Sequence, residues 1–190
     1  MNIIVQPYGS NWCYCRPDTT WERENKDFYV PDGIEEVLWT PVIFARVSKA
    51  GKCIGKKFIS RYYDSFNFGI LLYCRPENME GKDLTAFTSC ADHTSLLPSP
   101  LCEAAAIEAE GNIFRVKHKG EEIFLIDAAA VREGLENAIC AASRTTSLRI
   151  GDYVALELRQ TESLASKSET ETAVTAELSG KILYDIKVIF

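Results

Sequence analysis

No apolar run in the sequence approaches the roughly 20 residues that a membrane-crossing helix needs. The opening stretch, MNIIVQPYGSNW, lacks a basic start, a long apolar core and a small-residue cleavage site, so no signal peptide and a cytoplasmic location are expected. Basic residues are outnumbered: 21 Lys and Arg against 27 Asp and Glu leave a formal charge of -6. That balance argues against a nucleic-acid partner, because phosphate binding needs clustered cations. The densest basic run, Lys49, Lys52, Lys56 and Lys57, reads as a solvated helix start. A Gly-x-Ser-x-Gly elbow, a phosphate loop and a dinucleotide fingerprint are all missing. The seven cysteines follow no metal spacing. Cys13 and Cys15 share one face of a strand, but no second pair completes a zinc site, so free thiols in a reducing compartment are expected.

With 46% apolar residues in 190, the chain suffices for one well-packed domain over 1–190. Asn2 to Gln6 and Asn11 to Arg16 read as strands, and FYVPDG ends in a turn. Leu38 to Ser48 is a nearly continuous apolar run whose β-branching suggests a strand buried on most of both faces. Pro41 inside it cannot donate to a ladder and suits an edge or a bulge. Phe58, Ile59, Tyr62, Tyr63 and Phe66 have helical spacing, predicting a helix over 56–66, followed by a buried strand from Gly69 to Cys74. Hairpins are expected around His118-Lys119-Gly120 and Ser179-Gly180. Asp127 is a good N-cap for a second helix, reaching Ser143. The polar stretch TESLASKSETE predicts a mobile loop over 161–171. Together these features give an α+β domain, mostly β, with two helices.

Five stretches resemble a known family when taken in order: WCYCRPDTTW, FYVPDGIEEVLW, VSKAGKCIGKKFISRYYDSFNFGI, ASRTTSLRIGDYV and AELSGKILYDIKV. Their order and spacing resemble the fumarylacetoacetate hydrolase superfamily in its short bacterial form, over most of the chain. The resemblance implies a mixed β-roll or sandwich of that family's C-terminal-domain type, and a homodimer. It also implies a chemistry in which magnesium, manganese or calcium chelates a keto-acid-type substrate for carbon-carbon hydrolysis, decarboxylation or isomerisation.

The three carboxylates that the resemblance would require for the metal do not recur. The two carboxylates of its Glu-x-Glu fall on Thr40 and Val42, and the third metal-binding acid falls on Leu71. Hard cations need anionic oxygen ligands, so no cofactor is expected. Beyond the next strand Arg75 remains while Pro76 replaces an acid; the family's lysine falls on Ser89, and its loop aspartate survives as Asp92. The N-terminal histidine lid is missing, and the substrate-binding Thr-Gly-Thr-Pro loop falls on ELRQT, Glu157 to Thr161. By family position the ligand pocket is thus Thr40, Val42, Leu71, Arg75, Ser89 and Asp92.

Two function classes follow. One is a catalytically degenerate protein of this fold, a pseudoenzyme binding a small acidic ligand or serving as a structural homodimer; joint loss of the acids and their ion leaves no unpaired charge. The alternative is a hydrolase, decarboxylase or isomerase of a keto-acid-type substrate with a rebuilt site around Asp92, His93 and Arg75. There Asp92 would orient His93 as a general base and Arg75 would pair a carboxylate. Asp64, Glu77, Asp83 and Glu103 are further acids that a moved site could use.

Overall fold

The structure is a computed structural model. It describes residues 1–77, 79, 81–109 and 111–190; the side chains of Lys82, Asp83 and Thr85 also lie outside the described set, and with them the Asp83 candidate. In chain order the strands are β1 (Ile3–Gln6), β2 (Tyr14–Arg16), β3 (Trp21–Glu22), β4 (Phe28–Tyr29), β5 (Ile34–Val47), β6 (Tyr63–Pro76), β7 (Ser95–Leu96), β8 (Cys102–Glu103), β9 (Ile113–His118), β10 (Glu121–Asp127), β11 (Tyr153–Glu157), β12 (Glu162–Ser166), β13 (Glu171–Leu178) and β14 (Lys181–Ile189). The α-helices are α1 (Gly81–Thr88) and α2 (Ala128–Thr145).

β5 and β6 form the central antiparallel pair of the larger sheet, whose order is β2-β1-β11-β5-β6-β7-β3. β12 adds to β5 and β8 to β6, while β10-β9-β13-β14-β4 make a second sheet. The main core lies between the sheets and α2: Phe68 stacks on Phe114 with ring centroids 4.7 Å apart, and Leu135, Ala138 and Ile139 of α2 are buried with them. Asp127 caps α2 as expected, accepting from the Ala129 N–H at 2.8 Å. Both hairpins turn where the sequence places them. Lys119 and Gly120, like Ser179 and Gly180, have positive φ in succession, the twist a two-residue hairpin needs.

Pro41 sits mid-strand, neither at an edge nor in a bulge. It is tolerated because β11 pairs with β5 from Val42 onward and β12 only as far as Trp39. The N–H and C=O of a strand residue point the same way, and the Pro41 carbonyl accepts from the Leu158 N–H at 2.9 Å. Its missing donor therefore faces the junction between two partner strands, where no ladder bond is lost.

Three local expectations are corrected. The helix expected over 56–66 is a 3₁₀ helix over Lys56–Arg61, and β6 begins at Tyr63. Aromatic spacing misled there, because Tyr63, Phe66 and Phe68 are equally good strand residues with two faces to bury. Helix α1 was not anticipated; its GKDLTAFT carries a weak apolar stripe. The segment expected as a loop over 161–171 contains β12, which pairs with β5. Leu164 and Ala165 are buried against the core cluster, and that tertiary burial outweighs the polar composition.

Candidate functional site

Side chains alternate along a strand, so one face of the larger sheet collects Leu38, Thr40, Val42 and Phe44 from β5 with Gly69, Leu71, Tyr73 and Arg75 from β6. The register sets Thr40 opposite Leu71, Val42 opposite Gly69 and Leu38 opposite Tyr73. β11 adds Glu157 opposite Val42 and Ala155 opposite Phe44. Beyond it, β1 and β2 add Ile3, Val5, Tyr14 and Arg16.

This face is divided in two. Its inner part is an apolar, buried cluster of Ile3, Val5, Val42, Phe44, Leu71, Leu97, Tyr153 and Ala155. Val42 and Leu71 are 0% exposed. Leu97 reaches them because Gly69 lets the next chain segment come close: a Cβ there would lie 2.2 Å from the Leu96 carbonyl oxygen. Thr40 is also buried, and its hydroxyl donates to the Arg159 carbonyl at 2.7 Å. Thr40, Val42 and Leu71 thus come together, but as one hydroxyl already engaged and two hydrocarbons. Such a set does not fit a hard divalent ion, which needs charged oxygens to replace its water. Among the described residues no group of three or more His, Cys, Asp or Glu is placed to hold a metal.

The outer part of the face is polar and opens into a cleft of about 260 Å³ lined by Pro7, Leu38, Leu84, Tyr14, Tyr73, Arg75, Thr88, Glu157 and Thr161. At its floor Glu157 is buried and accepts twice, from the Tyr73 hydroxyl on Oε1 and from the Tyr8 N–H on Oε2 at 3.0 Å. The Tyr14 and Tyr73 hydroxyls lie 2.7 Å apart. Behind them the fully buried Arg16 sits over the Tyr73 ring, 5.0 Å from its centroid. Its Nη2 donates to the Leu72 carbonyl at 3.0 Å and to Thr94 Oγ1 at 2.6 Å. Burial pushes the Tyr14 phenol up to about 12 and the Tyr73 phenol well above its ordinary value, so both stay protonated at neutral pH.

Burial is also the largest influence on Glu157 and raises its carboxyl above the ordinary value, against the lowering effects of the Tyr73 hydroxyl, the Tyr8 N–H and Arg16. A carboxyl whose folded value exceeds its unfolded value favours the fold most when protonated. Its contribution is complete below the ordinary 4.5 and is lost as pH rises through the folded value. Glu157→Gln is neutral throughout, so its melting temperature is expected to gain on the wild type as pH rises from 4.5 through the raised folded value. A difference that stays constant over that range would show that Glu157 does not titrate with folding.

The residues singled out in the sequence fall in separate places. His93 Nδ1 lies 2.8 Å from Glu22 Oε2, in an open depression of about 420 Å³ that Asp92 also lines. The imidazole is thus partnered by Glu22, a residue the sequence reading did not select. Arg75 lines the Glu157 cleft instead and pairs with Glu36. Ser89 is buried, its hydroxyl donating to the Ala86 carbonyl at 2.9 Å. Tyr73 and Tyr14 are not anticipated by the sequence, and Glu157 enters there only as the first residue of ELRQT. The available signal was an acid at an inward position of YVALELR, alternating with Tyr153 and Ala155.

No protein-family model matches the sequence, and no curated protein matches it. Solved structures do match in fold. Fumarylpyruvate hydrolase from Pseudomonas aeruginosa, in complex with Mn2+ and pyruvate, superposes with a TM-score of 0.81 at 13% identity, over 100% of this chain and 90% of that one. A Yersinia pestis CO92 protein assigned to the fumarylacetoacetate hydrolase family gives 0.77 at 13% identity, over 99% and 92%. The 5-carboxymethyl-2-hydroxymuconate delta-isomerase from Mycobacterium smegmatis gives 0.77 at 10% identity, over 99% and 78%. The expected mixed β-roll is therefore the observed fold, shared with hydrolases and isomerases of this kind.

Proposed function

We propose that the chain is a small-ligand-binding protein, a catalytically degenerate relative of these hydrolases and isomerases that works without their divalent-ion chemistry. The homodimer implied by the sequence resemblance belongs to the same reading. The observation that carries it is the burial of Val42 and Leu71, 0% exposed, in an apolar cluster beneath Leu97. Placing a doubly charged ion among hydrocarbons would incur a desolvation cost with no anion to offset it. Arg75 already pairs with Glu36, which weakens the case for an acidic ligand and leaves a small ligand of another kind.

A second reading, an enzyme on a keto-acid-type substrate rebuilt around Asp92, His93 and Arg75, is favoured by the His93–Glu22 contact, since a carboxylate orients an imidazole as a base. Against it, Arg75 and the Asp92–His93 depression line different clefts.

One experiment separates the two. The melting temperature is expected to be unchanged by millimolar Mg2+ or Mn2+, and acylpyruvates and oxaloacetate are expected to show no turnover. A ligand of the native state raises the melting temperature saturably, so a saturable rise with either ion would defeat the first reading. Turnover that disappears in Asp92→Ala would establish the second.

A further inference from the structure

The hydroxyls and carboxylate at the floor of the Glu157 cleft have a direction. An ionised carboxylate only accepts hydrogen bonds, and a phenol has one proton to give. Tyr73 gives its proton to Glu157 Oε1. At 2.7 Å from Tyr14 its oxygen must then accept, so Tyr14 donates to Tyr73. The protons of the chain Tyr14→Tyr73→Glu157 are all spent inside it. What the floor offers a visitor is lone pairs alone.

Charge narrows the class further. Glu157 is buried beside the buried Arg16 guanidinium, which lies over the Tyr73 ring, and Arg75 at the rim is paired with Glu36. Both oxygens of Glu157 are engaged, by the Tyr73 hydroxyl and the Tyr8 N–H, so the chain ends toward the cleft in the uncharged Tyr14 oxygen. A ligand ammonium would lose its water and meet the uncharged Tyr14 oxygen, and a ligand carboxylate would face lone pairs at the floor and, in Arg75, a guanidinium already paired with Glu36. Pro7, Leu38 and Leu84 supply apolar walls. The cleft's 260 Å³ lies just below the roughly 300–1,000 Å³ of pockets that hold drug-sized ligands, a size that suits a single ring.

Resting on the ligand-binding reading above, we propose that this cleft binds small neutral hydroxyl-bearing aromatics, of which phenol is the simplest, with the ligand hydroxyl donating to Tyr14 at the open end of the chain. This selectivity is opposite to that of a chelating site, which selects ligands for the oxygen lone pairs they bring to an ion.

The direction of the chain also makes it reversible by one atom. In Glu157→Gln the amide oxygen can keep the Tyr8 N–H while the amide NH2 donates to Tyr73. Tyr73 must then donate to Tyr14, and the Tyr14 hydroxyl is freed to donate into the cleft. The variant is expected to favour acceptors.

Binding is measured by NMR titration of the full chain with phenol, anisole, benzylamine and acetophenone. Phenol is expected to bind about tenfold or more tightly than anisole, which has the same ring without the proton, as expected when an acceptor is left unmet. Tyr14→Phe is expected to erase that ratio, and Glu157→Gln to move the phenol-to-acetophenone ratio about tenfold toward acetophenone. The proposal is overturned if phenol does not bind, if anisole matches it in the wild type, if benzylamine binds tightest, or if Glu157→Gln leaves the ratio unmoved. The wild-type phenol and anisole comparison decides the matter even if a variant does not fold. Failure here leaves the metal-free reading standing, because that is tested separately by the response to Mn2+.

Discussion

Replacing Leu71 with aspartate is expected to lower the melting temperature by about 10–15 °C, and Mn2+ is expected to recover none of it. Leu71 is 0% exposed, sits opposite Thr40 and packs with Val42 and Leu97. Losing its side chain removes about 1.5–3 kcal/mol of burial. The acid that replaces it finds no donor in that cluster, and even in its protonated form a buried group without partners costs about 1–3 kcal/mol. Together these approach about 4 kcal/mol, and in a domain of this size each kcal/mol moves the melting temperature by about 2–4 °C. An acid at Leu71 alone, where the sequence resemblance would place a metal-binding carboxylate, does not make a metal site, since Val42 and Thr40 still offer no anion. Leu71→Asn, which has the same shape and no charge, is expected to lose nearly as much. A saturable recovery of Leu71→Asp by Mn2+ would show that the cluster can open into a metal cradle, and would undo the account of this face.

The sequence made the framework legible because the framework is a matter of pattern. The apolar run through Pro41, the Asp127 cap and the two turns ending in Gly120 and Gly180 each carry a local physical signature, and each produces the element expected of it. That Thr40, Val42 and Leu71 carry no carboxylate was equally visible, since the charge of a side chain needs no structure to be noticed. The Glu157 cleft was invisible for a different reason. Its members come from β2, β6 and β11, and nothing local ties Tyr14 to Tyr73 or either to Glu157; only the register of the sheet does. Glu157 was further hidden by lying where the family's Thr-Gly-Thr-Pro loop was matched, although β11 runs through Glu157 as a strand. His93 failed in the same way: Asp92 is its neighbour in sequence, but β3 brings Glu22 to its ring.

Gly69→Ala is expected to be the most damaging single-carbon change in the larger sheet, costing about 3 kcal/mol or more. The added Cβ would stand 2.2 Å from the Leu96 carbonyl oxygen. The clash is with strand backbone, which cannot rotate away as the end of a side chain can. β7 would have to withdraw, straining its pairing of Leu96 with Ile70 and the bond from the Leu72 N–H to the Thr94 carbonyl. Withdrawal would also carry off Leu97, which covers the apolar cluster and accepts from Trp21 Nε1 at 2.9 Å. A red shift in tryptophan emission should therefore accompany the loss of stability. Gly134 supplies the contrast. Its Cβ would meet only Leu156 Cδ2, at 2.8 Å, the end of a side chain that can turn. Inside α2 the exchange of glycine for alanine favours the helix by about 1 kcal/mol. Gly134→Ala is accordingly expected to leave the melting temperature within a few degrees of the wild type or above it. If the two variants melted alike, close approach of β7 at Gly69 would not be what holds Leu97 over Leu71, and the closed state of the inner face would need another cause.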